Sequence, residues 1–262
     1  MRTSCDIDVL VHKEDLEKAK FALIETLSYT FDGVHTNHDI SLYSDSGVHL
    51  ELHYNIECKD TFTNKCLSRV WEYATPACEG AQEHILSNEF LIYHVIAHAS
   101  YHFICGGCGI RPFADMWLLR RELDYDREEL LNLCRISGIQ DFFAAAEKLS
   151  NVWFSGHNHT ELTERMERYL LLGGVYGTKE SYIATRQNAY GGKLGYAGYR
   201  IFVSYEHLKT RYPSLKCRVL VPVYQVRRWI DAMSIKAIGR SVGELKINAK
   251  LDRKRVDEIG SL

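Results

Sequence analysis

The sequence predicts an α+β chain, with a small mixed β-sheet unit over residues 1–58 and a larger, mainly helical domain over residues 59–262. Three observations lead there. Short runs of β-branched and apolar residues at strand length, at 6–11, 39–43 and 48–54, fill the N-terminal part. From about residue 87 onward, apolar residues recur at helical spacing in one segment after another. Neither an internal repeat nor a low-complexity linker separates the two patterns, so residues 58–85 mark a change of class and not a flexible hinge.

DIDVLV at 6–11 reads as the first strand. Leu16, Ala19, Ala22, Leu23 and Leu27 then recur at helical intervals, which predicts a helix over Glu14–Leu27. Asp39–Tyr43 and Val48–Tyr54 are strands joined by SDSG, a turn closed by Gly47. The second of these alternates cleanly: Val48, Leu50, Leu52 and Tyr54 face one side, while His49, Glu51 and His53 face the other. Ser87 is positioned to cap a helix running to about Ile104. CGGCG breaks it, and Pro112 lies in the first turn of a helix over Arg111–Leu123. Asp126–Ser137, Gln140–Val152 and Thr160–Leu172 complete a helical body. Residues 173–199, with GGVYG and YGGKLGYAGY, read as loop-rich at their start. A proline-bounded segment, RYPSLKCRVLVP, precedes a last amphipathic helix from about Val223.

The bulk composition is that of a globular protein, with 46% hydrophobic and 25% charged residues and a net charge of -2. The charge is uneven: between Lys209 and Leu262 there are thirteen Lys/Arg against five Asp/Glu. That basic C-terminal segment reads either as a solvated helical face or as a surface for phosphate or an acidic partner. No apolar run reaches the ~20 residues needed to span a bilayer, and the N-terminus lacks the ordered basic and apolar regions of a signal peptide. Eight cysteines without a secretion signal read as reduced thiols and predict a cytoplasmic protein. The Cys105–Cys108 pair has CxxC spacing, but neither a second ligand pair nor a thioredoxin-like context accompanies it, so it reads as incidental.

The chemistry concentrates at Asp6 and Asp8. Residues i and i+2 of a strand point the same way, about 6.7 Å apart along the chain. Two acids on one strand face, with Glu51 as a third on the polar face of another strand, suit a pair of divalent cations. Hard oxygen donors of this kind favour Mg²⁺, which also takes phosphate oxygens. The plain alternative is a solvent-facing strand that merely carries acids, although aspartate is depleted in strands and two in one short strand are less casual.

R-x-S-x-DIDVLV, a helix, and then a strand reading ELH resemble the uncharacterised nucleotidyltransferase family of the DNA polymerase β-like superfamily. The resemblance extends to His94, His98 and His102, to GIRPFADMWLL at Gly109–Leu119, and to RYPSLK and LVPVYQVRRW near the C-terminus. It implies a nucleotidyltransferase-like unit in which Asp6, Asp8 and Glu51 are the catalytic, metal-holding acids. It also implies Mg²⁺, with Mn²⁺ as a substitute, and ATP or another NTP as substrate. The reaction would be transfer of a nucleoside monophosphate to an acceptor hydroxyl on a protein, RNA, sugar or small molecule. Substrate contacts are implied for Arg2, Ser4, His98, His102, Arg111 and Asp115; Arg2 could neutralise phosphate charge or be a frayed terminal residue. The superfamily places a helix and a glycine-containing strand–turn before D-x-D, and that upstream glycine motif is expected to be missing here. The alternative function is therefore a non-catalytic nucleotide- or partner-binding protein, antitoxin-like, that retains the fold.

His94, His98 and His102 recur every four residues on one helical stripe, a spacing that suits zinc as well as packing. A zinc hydrolase centred on His94 and His98, with Asp115 as an added ligand, is a third reading. Their neighbours Leu91, Val95, Ile96 and Ala99 favour a buried helix whose histidines bond to backbone or carboxylates. Tyr190, Tyr196, Tyr199 and Tyr205 read as gap fillers between helices.

Overall fold

Strand β1 (Asp6–Leu10) leads through a short 3₁₀ turn at Lys13–Asp15 into helix α1 (Leu16–Leu27). The computed structural model describes residues 6–36, 38–57, 61–173, 178–212, 214–231 and 244–251. These fall into two units, Met1–His94 with Tyr125–Gln140, and Val95–Asp124 with Asp141–Leu262.

In the first unit, β1, β2 (Thr30–His35), β3 (Asp39–Tyr43) and β4 (His49–His53) form a mixed sheet in the order β1-β4-β3-β2. β1 runs parallel to β4, and the other pairs are antiparallel. The hairpin turn is closed by Gly47 N–H donating to Ser44 O at 2.9 Å, with Gly47 at φ +82°, where a side chain would be strained. Ile40, Leu42, Leu50 and Leu52 all turn to one face, and Leu16 of α1 buries against them with Ala19, Leu23 and Ile24. This is the apolar face that the alternation of β4 predicts. β2 was not foreseen, because Asp32 and Gly33 interrupt its apolar run. Gly33 lies where the β2–β3 register shifts, at φ +85°.

Between the sheet and the helical run lie features the sequence reading missed: α2 (Asn64–Leu67), a 3₁₀ turn at Val70–Tyr73, and a hairpin of β5 (Ala74–Pro76) and β6 (His84–Leu86). They are too short to carry a periodic signal. α3 (Asn88–Ile104) starts where expected, with Ser87 Oγ accepting from the Phe90 amide at 3.3 Å. In the first unit, Tyr93 Oη contacts Ser137 Oγ at 2.5 Å and donates to Thr63 O at 3.2 Å, beside the buried Leu130, Leu133 and Cys134 of α5 (Arg127–Ile136).

The second unit is helical: α4 (Arg111–Glu122), α6 (Gln140–Ser155), α7 (Glu161–Gly173), α8 (Lys179–Ala189), α9 (Lys193–Ile201), α10 (Tyr205–Arg211) and α11 (Val221–Asp231). Residues 244–250 are also helical. Phe113 and Met116 of α4 are fully buried, Ser150 Oγ donates to Phe113 O, and Tyr169 Oη donates to Phe103 O. YGGKLGYAGY is less loop-like than its glycines suggest. Gly191 and Gly192 make a turn at positive φ, and α9 then runs through Gly195 and Gly198. Burial of Tyr196 against Ile183, Ala184 and Leu251 outweighs the weak helix propensity of those two glycines. Among the described residues, no helix is long and apolar enough to cross a membrane.

Candidate functional site

The pairing of β1 with β4 sets the chemistry. Asp6 lies opposite His49, Asp8 opposite Glu51 and Leu10 opposite His53. β3 continues each row, with Tyr43 beside His49, Ser41 beside Glu51 and Asp39 beside His53. The two-residue period of a strand places these positions on the face opposite the Leu50–Leu52 core. The site face is thus the back of the hydrophobic sheet, and the same alternation that buries Leu50 and Leu52 presents His49, Glu51 and His53.

His53 sits between two carboxylates. Its Nε2 donates to Asp8 Oδ1 at 3.2 Å and lies 3.3 Å from Glu51 Oε2. The Glu51 side chain is 29% exposed and that of His53 14%, whereas Asp8 is 66% exposed. Burial pulls the His53 pKa down, but the hydrogen bond to Asp8 and the charges of Asp8, Asp39 and Glu51 outweigh it, and the net pKa is raised. His49 flanks Glu51 on the other side, with Nε2 3.8 Å from Glu51 Oε1 and its ring stacked on Tyr43 at 4.6 Å. Asp39 is buried at the end of the row, where Thr36 Oγ1 donates to its carboxylate and His38 Nε2 lies 3.3 Å away.

Two sets of side chains bring possible ligand atoms within 4.8 Å of one another: Asp6, His49 and Glu51, and Asp8, Glu51 and His53. Carboxylate oxygens and imidazole nitrogens are ordinary ligands of divalent cations. His49 Nε2 is buried without a hydrogen-bond partner among the described residues, which leaves a nitrogen available beside Glu51. These residues fit a divalent cation.

Of the residues singled out from sequence, Asp6, Asp8 and Glu51 are brought together on one sheet face. His98, His102, Arg111 and Asp115 belong to the second unit. There the His98 and His102 rings meet edge to face at 4.4 Å, and Arg111 opens α4 with Asp115 one turn later. Arg2 and Ser4 lie outside the described residues. His49, His53, Asp39 and Ser41 were not singled out from sequence. The signal for the two histidines was present, since they flank Glu51 at alternate positions of β4.

No curated protein and no solved structure matches the chain. The family described as uncharacterised nucleotidyltransferase matches residues 1–155, a span that includes every strand described above and covers well over half of the 262 residues. On that match, the chain belongs to the uncharacterised nucleotidyltransferase family.

Proposed function

We propose that the chain is a cation-dependent nucleotidyltransferase that moves a nucleoside monophosphate from ATP or another NTP to an acceptor hydroxyl. The observation that carries this is the in-register pairing of β1 with β4, which sets Asp6, Asp8 and Glu51 side by side within the family-matched segment. The catalytic unit is assigned to residues 1–58 and the helical domain to 59–262, in a cytoplasmic protein. Asp6, Asp8 and Glu51 hold Mg²⁺, or Mn²⁺ in its place. The bound cation supplies Lewis acidity that lowers the acceptor hydroxyl's pKa and offsets charge on the departing pyrophosphate.

The chain's own residues do the rest. The acceptor oxygen bonds to the α-phosphorus as the bridge to the β-phosphate breaks, pyrophosphate departs, and the hydroxyl proton passes to solvent. Rigid strands hold the carboxylates at fixed spacing, which favours in-line alignment over solvent rearrangement. His53 keeps the Asp8 and Glu51 carboxylates oriented through its Nε2. Contacts to nucleotide or acceptor are assigned to Arg2, Ser4, His98, His102, Arg111 and Asp115.

Calorimetric titration with ATP and Mg²⁺, run alongside transfer of label from α-labelled NTPs, tests the reading. Binding and transfer by the wild type, both lost in Asp6→Ala/Asp8→Ala with the fold intact, are expected. Binding without transfer to any acceptor class would favour the non-catalytic alternative, and unchanged transfer in the double variant would refute the assignment.

A further inference from the structure

Independently of the nucleotidyltransferase reading, we infer that α11 and the turn before it dock the second unit onto an anionic lipid surface, lying along it without crossing it. An ordinary surface helix buries its apolar stripe and exposes its polar one, and α11 is turned the opposite way. Gln225 is 5% exposed, and its Nε2 donates to Val203 O at 2.6 Å. Arg228 Nη2 donates to Arg200 O at 3.2 Å and to Ile201 O at 2.6 Å. These are carbonyls of the last turn of α9, which a helix leaves without an internal partner. The polar side of α11 is therefore the side that the fold uses.

The apolar side is left outward. Val223, Val226 and Ile230 are spaced three and four residues apart and form one stripe of α11, and Val219 leads into it from the 3₁₀ turn at Arg218–Leu220. Val219 is 84% exposed, Val223 62% and Ile230 61%. Trp229, three residues from Val226, packs edge to face against the exposed Phe202 at 5.7 Å and widens the patch. Burying such a stripe at the boundary between lipid headgroups and tails removes apolar surface from water, which is what holds interfacial helices in place.

Charge identifies the occupant. From Arg200 to Asp231 there are seven Lys/Arg against two Asp/Glu, a net charge of +5 in a chain whose net charge is -2. Arg211, Lys216, Arg218 and Arg227 are all exposed. The Arg211 and Arg227 guanidiniums lie over the Tyr212 ring at 5.6 and 5.3 Å, which gathers two of these cations beside the helix. A second copy packed through this face would set like charge against like charge. Nucleic acid would meet the cations but leave the aliphatic stripe in water. A partner helix seats in a groove, whereas this stripe lies on the outward side of one helix. An anionic bilayer surface satisfies both features: its headgroups meet the cations, and its interface takes up valine, isoleucine, tryptophan and phenylalanine.

Cosedimentation of the full chain with vesicles tests this. The chain should bind vesicles of equimolar phosphatidylcholine and phosphatidylglycerol, be released as salt rises, and bind pure phosphatidylcholine at least about ten-fold more weakly. Val223→Ser/Val226→Ser/Ile230→Ser changes exposed positions with little effect on helix propensity, and should weaken binding by at least about ten-fold. Lys216→Gln/Arg227→Gln should weaken it by about thirty-fold, the worth of two basic residues at such a surface. Acyl chains carrying bromine should quench Trp229, and Trp229→Phe should remove that quenching. Circular dichroism checks that each variant is folded. No binding to the anionic vesicles, equal binding to neutral ones, or binding unchanged in the triple serine variant would overturn the proposal. So would a lipid-free dimer that the serine variant disperses, because the stripe would then be covered by a second copy.

Discussion

Two neighbouring residues of β4 should respond to alanine in opposite ways. Leu52 is 1% exposed and packs in the cluster of Leu16, Ile40, Leu42 and Leu50. Truncation there removes buried methyl groups and leaves a cavity, a change that costs about 2–5 kcal/mol. At about 3 kcal/mol, and at ~2–4 °C per kcal/mol for chains of this size, the melting point should fall by roughly 6–12 °C. Glu51, one residue away, faces outward among Asp8, His49 and His53, so Glu51→Ala should change stability by no more than about 1 kcal/mol. A cation closes most of that gap. Free Mn²⁺ at a hundred times its dissociation constant should stabilise the wild type and Leu52→Ala by about 2.7 kcal/mol, and Glu51→Ala hardly at all. Thermal melts followed by circular dichroism, with and without Mn²⁺, read both effects. A tolerated Leu52→Ala beside an unfolded Glu51→Ala would mean that β4 is slipped by one residue, which exchanges its two faces and refutes the site as drawn.

Two further outcomes test the helical packing within each unit. Asp126 caps α5 by accepting from the Glu128 and Glu129 amides at 2.8 and 3.2 Å, so Asp126→Ala should cost about 1 kcal/mol and speed hydrogen exchange at those two amides. Burial pushes the Cys108, Cys134 and Tyr169 pKa values up to about 12, so the folded chain holds protons that the unfolded chain releases from about pH 9 upward. Stability should be insensitive to these groups below about pH 9 and fall between about pH 9 and 12, by up to about 1.4 kcal/mol per pH unit for each group. Denaturant midpoints at pH 8, 9.5 and 10.5 that stay level would contradict it. Over the same range, Cys78 and Cys217 are exposed and should react with a thiol reagent before Cys134 does.

Much of the fold was legible because its signals are local. The helices from Asn88 to Gly173 follow apolar spacing and recognisable caps, as at Ser87 and Asp126. The segments that escaped are those whose structure depends on distant partners. Thr30–His35 pairs with β3 despite Asp32 and Gly33, and Ala74–Pro76 pairs with His84–Leu86 across a loop without alternation. α9 forms through two glycines because Tyr196 finds a buried position, a tertiary gain that no window of sequence reveals.

The candidate site was half legible for a related reason. Within the β3–β4 hairpin, matching the apolar residues is enough to set the register: Ile40 against Leu52 and Leu42 against Leu50 buries all four on one face. A shift by one would set Ser41 opposite Leu50 and put apolar and polar residues on the same face, so the hydrophobic core enforces the correct pairing. The polar rows follow from that choice, and with them the placing of Ser41 beside Glu51 and Asp39 beside His53. The parallel pairing of β1 is different, since α1, β2 and β3 intervene and no turn ties Asp8 to Glu51. Alternation showed that Asp6 and Asp8 share a face, and that Glu51 shares one with His49 and His53, but not that these are the same face. That last step comes from the register itself: Ile7 and Val9 pair with Leu50 and Leu52 but, at 47% and 37% exposure, lie outside the core that buries the two leucines. The carboxylates therefore meet through the backbone pairing of β1 with β4, while the hydrophobic core fixes only the β3–β4 face that receives them.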